Sequence, residues 1–180
     1  MIIAEQLKNK SRIEYLLYMW QVENILRAYA CDAKRLESEY VAQFSLDEAT
    51  RKAMAEWYAH LATMMKDEGV EKEGHLQVSK NIVITLDDLH AQLSRSKNFP
   101  FYESAYMKVL PYIVEIRRKN KDTETSEIET CLNVLYGVML LHLQQKPVNE
   151  ATQKAVEDIT TFLGLLSDYY FKDKEQPLEF

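Results

Sequence analysis

Glycine and proline each occur four times in 180 residues, where average usage of about 7% and 5% would place about 13 and 9. Tight turns with positive φ and pre-set bends draw on these two residue types. A chain so poor in both has few sharp turns available to it. That predicts long helices joined by short connections and argues against a many-stranded fold. The 3.6-residue spacing of apolar side chains agrees, and 180 residues can bury one sizeable core without disulfides or metals. The sequence therefore predicts an all-α, bundle-like single domain of six or seven helices over residues 1–171. A polar tail, 172–180, is expected to fray.

Capping residues set the boundaries. Ser11 and Glu14 in "SRIE" form a capping box that opens a helix running to about Tyr29. Tyr15, Leu16, Met19, Val22 and Leu26 share one face of it, but Ile13, Leu17, Tyr18 and Ile25 lie outside that face. A helix apolar on most of its circumference is expected at the centre. A second helix covers 32–44. "SLDE" reads as another capping box, with Ser45 as the cap, for a helix that ends near Gly69. Its predicted core face is Leu46, Ala53, Met54, Trp57, Leu61 and Met64. A fourth helix spans about 74–96; its run "NIVIT" admits a strand, but the helical pattern continues on both sides. "NFPFY" at 98–102 breaks the chain. The next helix, about 102–119, contains Pro111, so a kink or a restart is expected there. A sixth helix runs over 126–145, and Asn149 or Thr152 opens the last.

Charge and cysteine usage exclude several function classes. The formal net charge is −6, from 22 basic and 28 acidic side chains, which disfavours nonspecific contact with nucleic acid or anionic membranes. The densest basic stretch, "RRKNK" at 117–121, runs straight into the acidic "DTETSEIE" and reads as a solvated helix end. Cys31 and Cys131 are one hundred residues apart with no CxxC spacing, so no disulfide framework is expected and a reducing, cytoplasmic setting fits. The N-terminal "MIIAEQLKNKSR" lacks the long apolar core of a secretory signal. The longest apolar stretch, "CLNVLYGVMLLHL", is too short to span a bilayer.

Few residues suggest chemistry. In "LDDLH", helical projection puts Asp88 outside, Leu86 and Leu89 inside, and leaves Asp87 and His90 three apart, where the carboxylate could orient the ring. That contact reads as structural or as half of a metal or acid/base site. His75 lies on the same face but about 22 Å along the axis. Glu23 projects between Val22 and Leu26 on the inward side of a nearly all-apolar helix. A buried carboxylate needs a partner, for which Arg12, Arg27 or a tyrosine hydroxyl is expected; the functional reading is a polar anchor in a ligand pocket. His142 falls in the centre of the sixth helix's core face. Glu56 and His60 are four apart, the wrong spacing for the Glu-x-x-His motif of a di-iron bundle. Glu23, His60, Asp87, His90 and His142 are thus the candidate ligand-binding residues. No zinc signature, glycine-rich phosphate loop, nucleophile elbow or Cys/His pair occurs, so no catalytic residue, metal or cofactor is assigned. Eleven tyrosines suit packing, pockets and interfaces alike, and "AEWYAH" and "SDYYF" could line a groove.

The stretches "EYLLYMWQVENILR" (14–27), "EGHLQVSKNI" (73–82) and "EIETCLNVLYGVMLLHL" (127–143), with the overall length, resemble a family of Bacteroides-type bacterial proteins known only as a domain of unknown function. The resemblance implies a bacterial cytoplasmic protein with one helical domain, and it implies no activity, cofactor or site residue. Together with the residues, it leads to an expected non-catalytic binding or protein-interaction module that recognises a protein partner or itself as a homo-oligomer. The alternative is a small-ligand binder or enzyme in which at least three of the five candidate residues converge.

Overall fold

Ser11 separates the first two helices by itself. Its backbone N–H still donates to the Leu7 carbonyl at 2.8 Å, but φ −151° and ψ 120° take it out of the helix, and its Oγ accepts the Glu14 N–H at 3.2 Å. One residue thus ends α1 (Ile2–Lys10) and caps α2 (Arg12–Ala28). The computed structural model describes residues 2–121 and 124–180. Met1 lies outside the described residues, as do Asp122 and Thr123, which begin the acidic run expected after the basic helix end.

The rest of the chain forms α3 (Ala33–Arg35), which passes into a π-helical turn (Leu36–Tyr40) and a 3-10 turn (Val41–Gln43), then α4 (Glu48–Asp67), α5 (Gln77–Arg95), α6 (Pro100–Asn120), α7 (Glu127–Leu143) and α8 (Glu150–Glu175). The described residues hold eight α-helices and no strand, so the fold is all-α with more helices than the expected six or seven. The addition is α1, nine residues with no capping residue ahead of it to announce it. The expected helix over 32–44 is an irregular one.

Three expected starts change and three hold. α5 begins at Gln77, not near 74. α4 is capped by Asp47, not Ser45: Asp47 accepts the Thr50 N–H at 3.0 Å and the Thr50 hydroxyl at 2.6 Å. α6 begins at Pro100 instead of 102, with the proline in the first turn where its missing N–H costs nothing. Ser11 and Ser126 cap α2 and α7 where the sequence predicts their starts, and of the two alternatives for α8 it is Asn149, not Thr152, that caps it. α6 runs unbroken through Pro111, so the restart does not occur. Pro111 and Met107 are both exposed, which leaves the carbonyl that loses its partner on the wet side of the helix.

Two compact units divide the chain between Asn81 and Ile82, inside α5. In unit 1 the expectation for α2 holds: Leu16, Met19, Trp20, Val22 and Leu26 are fully buried, with α1 and α4 packed on it. The buried face of α4 is turned by about one residue from the predicted one. Met54, Tyr58, Leu61, Ala62 and Met65 are buried, while Ala53 is exposed and Trp57 and Met64 are half-buried. In unit 2, α6, α7 and α8 pack pairwise around Tyr102, Val109, Ile113, Ile128, Leu132, Phe162 and Leu166. After α8, the Leu178 N–H donates to Asp173 at 2.9 Å and the Glu179 carbonyl accepts from Asn98 at 3.1 Å. No helix among the described residues is long and apolar enough to cross a membrane.

Candidate functional site

Glu23, fully buried on α2, meets partners from the segment before α5. Its Oε2 accepts from His75 Nδ1 at 2.6 Å, and its Oε1 accepts from the Leu76 N–H at 3.1 Å and the Ser79 hydroxyl at 3.5 Å. A carboxylate only accepts, so His75 carries its proton on Nδ1. The imidazole also stacks on Trp20, with ring centroids 4.2 Å apart and planes 15° from parallel. These are not the partners the sequence suggested. Arg27, one turn along α2, donates instead to the carbonyls of Val70 and Gly74. One face of α2 therefore clamps the loop before α5 with a cation on its carbonyls and an anion on its donors. Glu68 adds a second carboxylate, accepting the Gln77 N–H at 2.6 Å. Two acids thus supply the N-terminal cap that α5 lacks in its own sequence.

Asp87 and His90 do not form the expected contact. Both ring nitrogens of His90 are taken by other residues: Nδ1 lies 2.7 Å from Tyr102 Oη and Nε2 3.2 Å from Glu127 Oε2. The carboxylate fixes the proton on Nε2, and Nδ1 then accepts the Tyr102 O–H. Burial lowers the His90 pKa, against the pull of Glu127, so the neutral ring is the form this network holds. Tyr106 donates to the same Glu127 oxygen at 2.8 Å. Phe162 packs against the ring, centroids 5.6 Å apart. Asp87 turns to the start of α7, where the Ser126 hydroxyl and the Ile128 N–H bond it. Burial nevertheless raises its pKa to about 6.

The remaining two candidates are at the surface. His60 is exposed because the buried face of α4 is rotated past it, and its neighbour Glu56 pairs with Lys52 at 3.9 Å. His142 is exposed too, contrary to its projection onto the core face of α7. Its turn of α7 has run past the last buried residue, Val138, and ends in exposed Leu143. Each candidate has its own surroundings, and the only two that are near in sequence, Asp87 and His90, bond different partners. Among the described residues, no three His, Cys, Asp or Glu side chains group in a way that could hold a metal ion. Cys31 and Cys131 are buried thiols without a disulfide.

Unit 1 holds a cleft of about 650 Å³ that none of the five candidates lines. Tyr18 and Ile25, apolar residues of α2 outside its core face, form one wall together with Val22 from that face. Met54, Trp57 and Tyr58 of α4 form the opposite wall. Tyr40, from the π-helical turn, and Phe44 form a third side. Their rings meet edge to face: Tyr40 lies 5.3 Å from both Phe44 and Tyr58, each at 78°. Phe44 and Ile3 at the rim are 39% and 46% exposed. Of the "AEWYAH" and "SDYYF" tyrosine stretches, the first contributes to this cleft and the second does not. Tyr169 packs on Phe99, and Tyr170 is buried in unit 2. Reading the chain residue by residue missed the cleft, but its signal was present: the apolar residues of α2 left over after its core face is counted.

A family model, described as a domain of unknown function (DUF4924), matches residues 1–177. No curated protein and no solved structure matches the chain.

Proposed function

The chain belongs to the DUF4924 family, and we propose from its geometry that it is a non-catalytic binding protein whose site is the unit 1 cleft. The observation that carries this reading is the cleft itself. Its volume of about 650 Å³ falls inside the roughly 300–1,000 Å³ of ordinary ligand sites, and aromatic and aliphatic walls are what such sites use. The buried acids and histidines support a non-catalytic role, because each is committed to holding a helix start or a neighbouring ring. The test is titration with an uncharged fluorophore, N-phenyl-1-naphthylamine. We expect saturable binding at one site per chain, weakened at least about tenfold by Ala53→Phe. Ala53 is exposed on α4 and faces the cleft, so the larger ring fills it without entering the core. Absence of saturable binding, or equal binding by Ala53→Phe, would overturn the proposal.

We also propose self-association through α6. Met107 and Val114 are 55% and 58% exposed. With Pro111 between them they make one apolar outer stripe, of the kind that marks contact surfaces.

A further inference from the structure

We infer that the unit 1 cleft takes an uncharged, predominantly apolar molecule carrying one hydrogen-bonding oxygen, held at the Tyr40–Tyr58 hydroxyl pair. The inference rests on the cleft being the binding site and adds the class of occupant.

Charge decides the first half. Among the described residues, thirteen line the cleft and none is a Lys, Arg, His, Asp or Glu. An anionic or cationic head group drawn inside would lose its water without gaining a counter-charge, and burying an unpaired charge is far more costly than burying a neutral polar group. A ligand that is charged where it is buried is therefore rejected by the lining.

The polar part of the lining decides the second half. Apart from Gln21, Thr50 and the Trp57 indole N–H, its side-chain polar groups are three tyrosine hydroxyls, of Tyr18, Tyr40 and Tyr58. Tyr40 and Tyr58 are hydrogen-bonded to each other, and Tyr18 interacts with both. Burial and the bond to Tyr40 raise the Tyr58 pKa well above that of an ordinary phenol, so the Tyr58 hydroxyl stays protonated. Each hydroxyl brings one donor, and the bond between Tyr40 and Tyr58 uses one of their two. Tyr58 is almost fully buried whereas Tyr40 is only half-buried, which makes Tyr40 the reachable member. An alcohol, ketone or quinone oxygen can take an O–H there. A pure hydrocarbon would leave that group facing an apolar neighbour.

The test displaces N-phenyl-1-naphthylamine with 1-decanol, decanoate and decylammonium at pH 7.5. These share one chain and differ in charge. We expect 1-decanol to bind at least about tenfold more tightly than either ion. Tyr40→Phe should narrow the gap between 1-decanol and the oxygen-free fluorophore by about fivefold, the worth of one neutral hydrogen bond. Helical circular dichroism and the thermal midpoint verify that the variant is folded. An ion that matches 1-decanol overturns the occupant's class while leaving the cleft as a site. An unchanged gap in Tyr40→Phe overturns the hydroxyl contact. Failure of the fluorophore itself to bind overturns the cleft, and with it both readings.

Discussion

Asp87 and His90 lie one turn apart on α5 and answer pH in opposite senses. Burial raises the Asp87 carboxyl to about 6, although the Ser126 hydroxyl favours its charged form; Glu129 adds to the rise. A folded pKa above the unfolded value of about 3.9 means stability that is complete below about 3.9 and is lost as pH rises through about 6. His90 is depressed by burial, with Glu127 opposing. Its contribution is complete above the unfolded value of about 6.5 and is lost as pH falls. Asp87→Asn keeps an acceptor for Ser126 and Ile128 and removes the buried charge. We expect it to stabilise the protein at pH 7.5 by about 1–2 kcal/mol, less than the full shift implies because solvent screens a half-buried group. Urea denaturation of the two proteins at pH 4 and pH 7.5 measures this, and the difference should shrink at the lower pH. An equal difference at both would show that the charge is not the cause.

Three helix ends share one geometry at the scale of elements. After α4, Gly69 N–H donates to Lys66 and Val70 N–H to Met65, with Gly69 at φ +67°. After α2 the same pair of bonds runs from Ala30 and Cys31, and after α7 from Gln145 and Lys146. Only one of these left-handed positions is a glycine; Ala30 sits at φ 54° and Gln145 at φ 55°. An L side chain in that region costs about 1 kcal/mol or somewhat more. Gln145 is exposed, so Gln145→Gly should raise stability by about 1 kcal/mol, seen as an upward shift of the thermal midpoint. A lower midpoint would mean that the side chain has a compensating role.

Ser11, Ser126, Asn149 and Gly69 were legible because a cap is a local event, complete within four or five residues. The cap of α4 is Asp47 and not Ser45, which satisfies the same local pattern. The inward position of Glu23 followed from periodicity, but His75, 52 residues away, did not. No local rule says which segment a helix face will meet. For the same reason Glu127 and Tyr102 gave no sign that they would occupy both nitrogens of His90. The cleft needed three separate elements to meet, and only the apolar surplus of α2 hinted at it.

For the molecule as a whole, the low glycine and proline content has its expected result, long helices, yet apolar surface remains on the outside of both units. A formal charge of −6 opposes indiscriminate association, so contact through the α6 stripe must draw on shape and apolar area. We expect sedimentation velocity to show a concentration-dependent dimer that Val114→Lys abolishes without loss of helical signal. A wild-type chain that stays monomeric at high concentration would remove the self-association reading and leave the cleft untouched.

The two tryptophans, Trp20 and Trp57, are both in unit 1. One is sealed against His75 in the clamp on α2; the other lines the cleft. Light at the red edge of the absorption band, where tyrosine is transparent, therefore addresses half of the chain and two particular places in it. Trp57 supplies a native colour signal for occupancy, with Trp20 as a dark-side reference less than 2% open to solvent. Unit 2 remains optically silent under the same illumination.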